Sequence, residues 1–275
     1  MSRRRVEVFM VLVIVAAVAG PGAVGVVRVR AVAARTTCAG HLGQTAMAAR
    51  AYADANGGVL PTGTIPNAEL APEQRLSWWV SILPFVEQGE VFQQFDLSRG
   101  PDDPRNEKAA GNRWRHLVCP ASGEYDRDTR QWRSETPVTN YVGVAGVGVG
   151  AAGLPAGHPH AGAFGYDRRT SLKGGFPDGT AHTLLLIETG REPGHWAHGG
   201  HATVRAFEWD VPYIGPERPF GGFHNGPMVL FGSRDRVCVT AFADGSYHPL
   251  TDKIDPAVLE ALATVGGREA LPSDW

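Results

Sequence analysis

Cysteine is scarce in this 275-residue chain: there are three, Cys38, Cys119 and Cys238. No Cys-x2-Cys spacing occurs, and the Cys-x2-His of Cys38 and His41 has no second pair beside it, so no local zinc knuckle is written into the sequence. The net charge is only -2, which leaves no basic field for nucleic acid. A Gly-x-Ser-x-Gly nucleophile elbow is missing, and so is a phosphate loop ending in Gly-Lys-Ser/Thr. No internal repeat is present. Long hydrophobic runs are missing too, with a single exception at the start of the chain.

That exception is Val6 to Val27, 22 residues without Lys or Arg and with one acid, Glu7, at its edge. As a helix it would be roughly 33 Å long, enough to cross a bilayer core. Arg3, Arg4 and Arg5 precede it, and basic residues before a first span favour a cytoplasmic N-terminus. Arg28, Arg30 and Arg35 follow it and weaken that bias. A cleaved secretory signal is the rival reading, with Ala31-Val32-Ala33 as a small-x-small cleavage site. A buried core helix is the third.

The helical pattern continues to about Asn56. Leu42, Ala46, Ala49 and Ala53 recur at spacings of four, three and four, Arg50 and Asp54 can pair one turn apart, and Gly57-Gly58 stops the helix. The expected division is 1–27 as basic start and membrane or leader helix, 28–56 as its soluble continuation, and 57–275 as a β-rich body. Gly (35) and Pro (20) make up a fifth of the chain, which argues for many turns and against a helical bundle in that body.

Within the body, Trp78 to Phe95 is the densest apolar cluster, helical in spacing and interrupted at Pro84. Leu117 to Pro120 reads as a short strand, and Thr139 to Gly146 as a strand with glycine-permitted close approach. Residues 98–112, 121–136, 146–165 and 190–223 read as loops. Thr183 to Glu188 is a buried strand. Met228 to Phe231 and Val237 to Phe242 read as a hairpin joined at Gly232-Ser233. Asp244-Gly245 is a second hairpin turn, with Tyr247 to Leu250 returning. Asp255-Pro256 caps a last helix, Ala257 to Val265.

Candidate chemistry is thin. His195, His198 and His201 sit at i, i+3 and i+6 and could hold zinc or copper if a turn gathers them. Their glycine-rich setting equally suits solvated loop histidines. Asp178 and Asp244 each precede Gly and read as turn formers, with a loop calcium site as the other option. Trp196, Trp209 and Tyr213 could form the aromatic floor of a solute site. Cys38 and Cys119 could bridge if the body lies outside the cytoplasm; otherwise they are buried thiols.

Several segments, in order along almost the whole chain, resemble one family. They are Arg35-Thr36-Thr37-Cys38 with Leu42 and Gln44, Tyr52 through Pro61, Ser77-Trp78 through Phe95-Asp96, and Leu117-Val118-Cys119-Pro120. They continue with Thr139-Asn140-Tyr141-Val142-Gly143-Val144-Ala145-Gly146, Pro177 through Leu184 with Glu188, Gly222-Phe223-His224, and Ala243-Asp244-Gly245-Ser246. The chain is similar to the prepilin-like, type II secretion pseudopilin-like group of unknown function, also called a bacterial solute-binding family. Its C-terminal signature is His, nine residues, then Asp-Gly. Here His224 and Asp244-Gly245, within a C-terminal region spanning 222–250, carry that signature with nineteen residues between, which suggests an insertion around Gly232 to Arg236.

The resemblance implies an α+β, pilin-like fold: a long N-terminal helix, half in the membrane, packed on an antiparallel sheet with large loops. It implies a non-catalytic protein without cofactors, anchored by one span in a bacterial inner membrane. Its N-terminus would be cytoplasmic and its body outside, with pilin-like subunits or secretion components as partners. Glu7 matches the family's assembly glutamate, which neutralises a neighbour's N-terminal amine. The family's leader has Gly followed by Phe-Thr-Leu-Ile-Glu, whereas this chain has Ser2-Arg3-Arg4-Arg5-Val6-Glu7. Three charges there oppose burial of the first turn in lipid or in a subunit interface.

Overall fold

The computed structural model describes residues 3–208, 211–226, 235–269 and 271–272; the side chains of 3–9 and 11–24 lie outside the described set. The first helix, α1, runs Arg3–Ala55 without a break. It ends where the sequence places a stop: Gly57 and Gly58 both take positive φ, and the Gly58 N–H returns to the Ala53 carbonyl at 2.7 Å. Among the described residues no helix is long and apolar enough to cross a membrane. The span expected over Val6 to Val27, and Glu7 with it, falls on side chains outside the described set.

The second half of α1 belongs to the core. Cys38, Leu42, Ala46, Ala49 and Ala53 are all fully buried, on one stripe of the helix. Four of these five are small, so the axis lies close against the sheet. Arg50, expected to pair with Asp54, instead donates to the Ala243 carbonyl at 2.6 Å. Tyr52 meets Phe85 edge-on, 6.0 Å between ring centres.

After α1 come three short helices, α2 (Trp78–Ile82), α3 (Gly89–Phe92) and α4 (Glu107–Ala110). A 3-10 turn, Leu83–Val86, follows α2 at Pro84 as the sequence suggests, but α4 lies in a stretch that reads as loop. Leu117 to Pro120 is not a strand. Arg115–Leu117 is a 3-10 turn, and the extended residues after it bond to Asn140 rather than to a ladder. The exposed excursion that follows carries a small hairpin, β1 (Tyr125–Asp126) with β2 (Gln131–Trp132).

The remaining strands are β3 (Val138–Thr139), β4 (Tyr141–Val147), β5 (Leu184–Glu188), β6 (Gly194–His195), β7 (Val204–Phe207), β8 (His224–Asn225), β9 (Arg236–Phe242) and β10 (Tyr247–Thr251). The main sheet has the order β10-β9-β5-β4-β7, with β8 also on β9. It is mixed rather than antiparallel, because β7 runs parallel to β4. That strand lies inside the 190–223 stretch read as loop. The expected Met228 to Phe231 strand lies outside the described residues; Val237 pairs with His224 of β8 and with Thr251 of β10.

Both faces of the sheet are covered, so its central strands are continuous apolar runs rather than alternations. On one face Tyr141, Ala145, Leu186, Val239 and Ala241 meet α1. On the other Val142, Val144, Ile187 and Phe242 meet Leu259 and Leu262 of α5 (Pro256–Ala263). The Asp255 carboxylate caps α5 by accepting from the Ala257 N–H at 2.8 Å.

Residues 146–165, a flexible loop by composition, are packed. Ala161, Ala163 and Phe164 are buried, and the guanidinium of Arg168 reaches the carbonyls of Ala145, Ala151, Leu154, Gly162 and Phe164. Gly146, at φ +114°, lets that segment return across β4: a Cβ there would collide with the His160 carbonyl.

Close packing of α1 gives a contrast between neighbours. Ala46→Leu, at a fully buried position, should lower unfolding stability by about 1–3 kcal/mol. Met47→Leu, at a position 55% exposed, should change it by less than about 0.5 kcal/mol. Denaturant melts of both variants check this.

Candidate functional site

The period of two along β5 turns Glu188 to the same face as Leu186, towards α1. Glu188 is fully buried, a position an acid keeps only with partners. Its partners come from three distant segments. Cys38 Sγ, on the buried stripe of α1, lies 3.4 Å from Glu188 Oε1. His224 Nε2, on β8, lies 3.4 Å from the same oxygen. Cys119 Sγ, after the 3-10 turn, lies 3.2 Å from His224 Nε2. The four donor atoms all fall within 4.8 Å of one another, and none of the four residues is more than 3% exposed.

Each arm is fixed by its surroundings. The Cys119 N–H donates to Asn140 Oδ1 at 2.9 Å, and Asn140 Nδ2 donates to the Thr189 carbonyl, just beyond Glu188. The ladder of β8 with β9 sets His224 opposite Val237. Donors also reach the periphery of the cluster: Tyr141 Oη to Cys38 Sγ at 3.3 Å, the Ala121 N–H to Cys119 Sγ at 3.3 Å, and the Val239 N–H to Glu188 Oε2 at 3.3 Å. Cys238 stands one step outside, its thiol donating to the Glu188 carbonyl at 3.4 Å.

Electrostatics couple the groups. Burial opposes the charged imidazole of His224, but contacts with Cys38 and the Glu188 carboxylate outweigh it and hold His224 up to about 9. Burial pushes the Cys119 thiol well up, and Cys38 and Glu188 beside it add to the effect. Tyr141 is raised for the same first reason. The cluster thus sets a buried imidazole and a buried carboxyl group between two sulfurs. As a donor set it offers two sulfurs, one nitrogen and one carboxylate oxygen, with no position open to solvent.

The residues singled out in the sequence are distributed elsewhere. Cys38 and Cys119 are brought together, with free thiols. His195 and His198 lie face to tilted face, ring centres 4.6 Å apart, and His198 Nε2 approaches Asp102 at 3.1 Å. His201 sits in the next 3-10 turn, and the three do not converge as a donor set. Asp244 accepts from the N–H and hydroxyl of Ser246 and serves its turn, while its signature partner His224 faces Glu188. Gly245 takes φ +91° against Met47. Trp196 and Tyr213 are core residues, buried and hydrogen-bonded to Asn112 and Glu260; Trp209 lies outside the described residues. In the sequence Glu188 reads as the end of a buried strand and His224 as part of the family signature beside Asp244, and nothing there pairs the two. A lone Glu ending an apolar strand is the signal that could have marked the site.

Two half-buried histidines flank the cluster. His41 Nδ1 and His116 Nε2 are enclosed without a hydrogen-bond partner among the described residues. Burial first, and then nearby His41, pushes His116 down to about 4. The unfolded chain takes up this proton near pH 6.5 and the folded chain does not, so the contribution is complete above pH 6.5 and is lost as pH falls towards 4. His116→Phe should therefore remove on the order of 2 kcal/mol of the acid-side loss between pH 7.5 and 4.5. Melting the variant and the parent chain across that range measures it.

No curated protein and no solved structure matches the chain. A family model described as a protein of unknown function, DUF1559, matches residues 28–257, which takes in the docked half of α1, the sheet and all four residues of the buried cluster. The chain belongs to that family.

Proposed function

We propose that the protein is a non-catalytic, membrane-tethered, pseudopilin-like component of the bacterial cell envelope, with its N-terminus cytoplasmic and its head outside the inner membrane. The observation that carries this reading is the division of α1. Its second half is locked into the head, while Val26, Val27, Val29 and Val32 project beyond it at 55–69% exposure. An apolar helical face left open by the head calls for cover by lipid or by neighbouring helices. Val26 and Val27 are the last residues of the 22-residue apolar run in the same helix. The body supports a scaffold role, since its polar cluster is closed to solvent and its large aromatics Trp78, Trp79 and Trp196 are in the core.

Such a protein works by association. The projecting helix holds the head at the membrane and presents it to pilin-like subunits or secretion components. Cell fractionation of the full chain tests the tether. The expected result is recovery in the membrane pellet, resistance to alkaline carbonate and release by detergent. Recovery of the intact chain in the soluble fraction would contradict it.

A further inference from the structure

We infer that Cys38, Cys119, Glu188 and His224 form a structural zinc site that fastens the N-terminal helix to the head. The inference is independent of the membrane tether, because all four ligands lie in the packed body and the docked half of α1.

The first support is geometry. A tetrahedral zinc with bonds of about 2.3 Å to sulfur and about 2.0–2.1 Å to nitrogen and oxygen holds its donors about 3.4–3.8 Å apart. The separations here are 3.4 Å from Cys38 Sγ to Glu188 Oε1, 3.4 Å from Glu188 Oε1 to His224 Nε2, and 3.2 Å from His224 Nε2 to Cys119 Sγ. Three of the six donor–donor separations thus lie close to the edge lengths of a zinc tetrahedron, and the other three are within 4.8 Å.

The second support is the outer hydrogen bonding. Metal ligands are oriented and their charge is spread by donors behind them. Both sulfurs and the outer carboxylate oxygen have such donors: Tyr141 Oη, the Ala121 N–H and the Val239 N–H. The amide two residues after a cysteine, donating back to its sulfur, stabilises a thiolate. All four ligands come from the protein and all are buried, which fits a structural site rather than a catalytic one with an open position. Sulfur, imidazole and carboxylate together suit zinc; calcium and magnesium prefer oxygen alone. Zinc binds both sulfurs as thiolates and His224 through an Nε2 without its proton, so metal uptake is coupled to proton release. Zinc then offsets two of the three negative charges on Cys38, Cys119 and Glu188.

The rival state is a Cys38–Cys119 disulfide. It would use both sulfurs and leave Glu188 buried against His224 alone.

The test uses the full chain, expressed with zinc in the medium and purified in mild detergent without chelator. Elemental analysis should find one zinc per chain. Cobalt exchanged for zinc should give visible d–d bands and sulfur-to-metal charge-transfer absorption. Chelation should lower the melting temperature and added zinc should restore it. Cys38→Ser and His224→Ala should lose the metal. Tyr141→Phe should retain it with affinity weakened by about 10–100-fold, and His198→Ala should retain it in full. Wild-type measurements keep the test decisive if the ligand variants fail to fold. A folded wild-type chain that takes up neither zinc nor cobalt would overturn the inference. Overturning results would also be a mass showing the Cys38–Cys119 disulfide, or loss of zinc from His198→Ala with retention in His224→Ala.

Discussion

The close seating of the second half of α1 on the sheet is the constraint from which the rest follows. A stripe of Cys38, Leu42, Ala46, Ala49 and Ala53 has little side chain to interpose between helix and strands, and all five are fully buried there. Apolar burial alone is modest with such small groups. The polar contacts at the ends of the stripe supplement it. Arg50 bonds the β9–β10 turn at Ala243, and Cys38 meets Glu188 and Tyr141 at the far edge of β5 and the start of β4. The helix is thereby held at two points about three turns apart, in one register.

A fully buried carboxylate makes that arrangement consequential. Taking Glu188 out of water costs several kcal/mol unless charge and hydrogen bonds compensate. Here His224 supplies opposite charge, and the Val239 N–H supplies a hydrogen bond to the second oxygen. The four residues belong to elements far apart in the chain, so the cluster can assemble only when α1, the 115–119 turn, β5 and β8 are all in place. A site with that dependence reports on the whole fold. It also ties α1 to the sheet.

Much of this was legible in the sequence, and the reasons are particular. The Leu42, Ala46, Ala49, Ala53 stripe, the Gly57-Gly58 stop, the Leu184 to Glu188 run, the Asp244-Gly245 turn and the Asp255-Pro256 cap are local signals, and each appears where its residues stand. The long N-terminal helix followed from them, and the α+β class from the family resemblance. What escaped was non-local. The short run Val204–Phe207 is a strand because β4 lies parallel beside it. Residues 146–165 are ordered because one buried guanidinium, Arg168, gathers their carbonyls. Cys38, Cys119, Glu188 and His224 have no motif spacing at all. Only the topology brings them together, whereas the compact 195–201 histidines, which do look like a motif, lie with His198 turned to Asp102.

The family as matched begins at residue 28, so its shared pattern includes the docked half of the helix but not the apolar run before it. Helix docking is thus the central feature, and native-state hydrogen exchange of the full chain tests it most directly. If α1 is part of the core, the amides of residues 42–53 exchange only with the slowest amides of β5 and β9, while those of residues 25–33 exchange much faster. Exchange of residues 42–53 by an independent, lower-energy opening, with β5 and β9 still protected, would contradict the account.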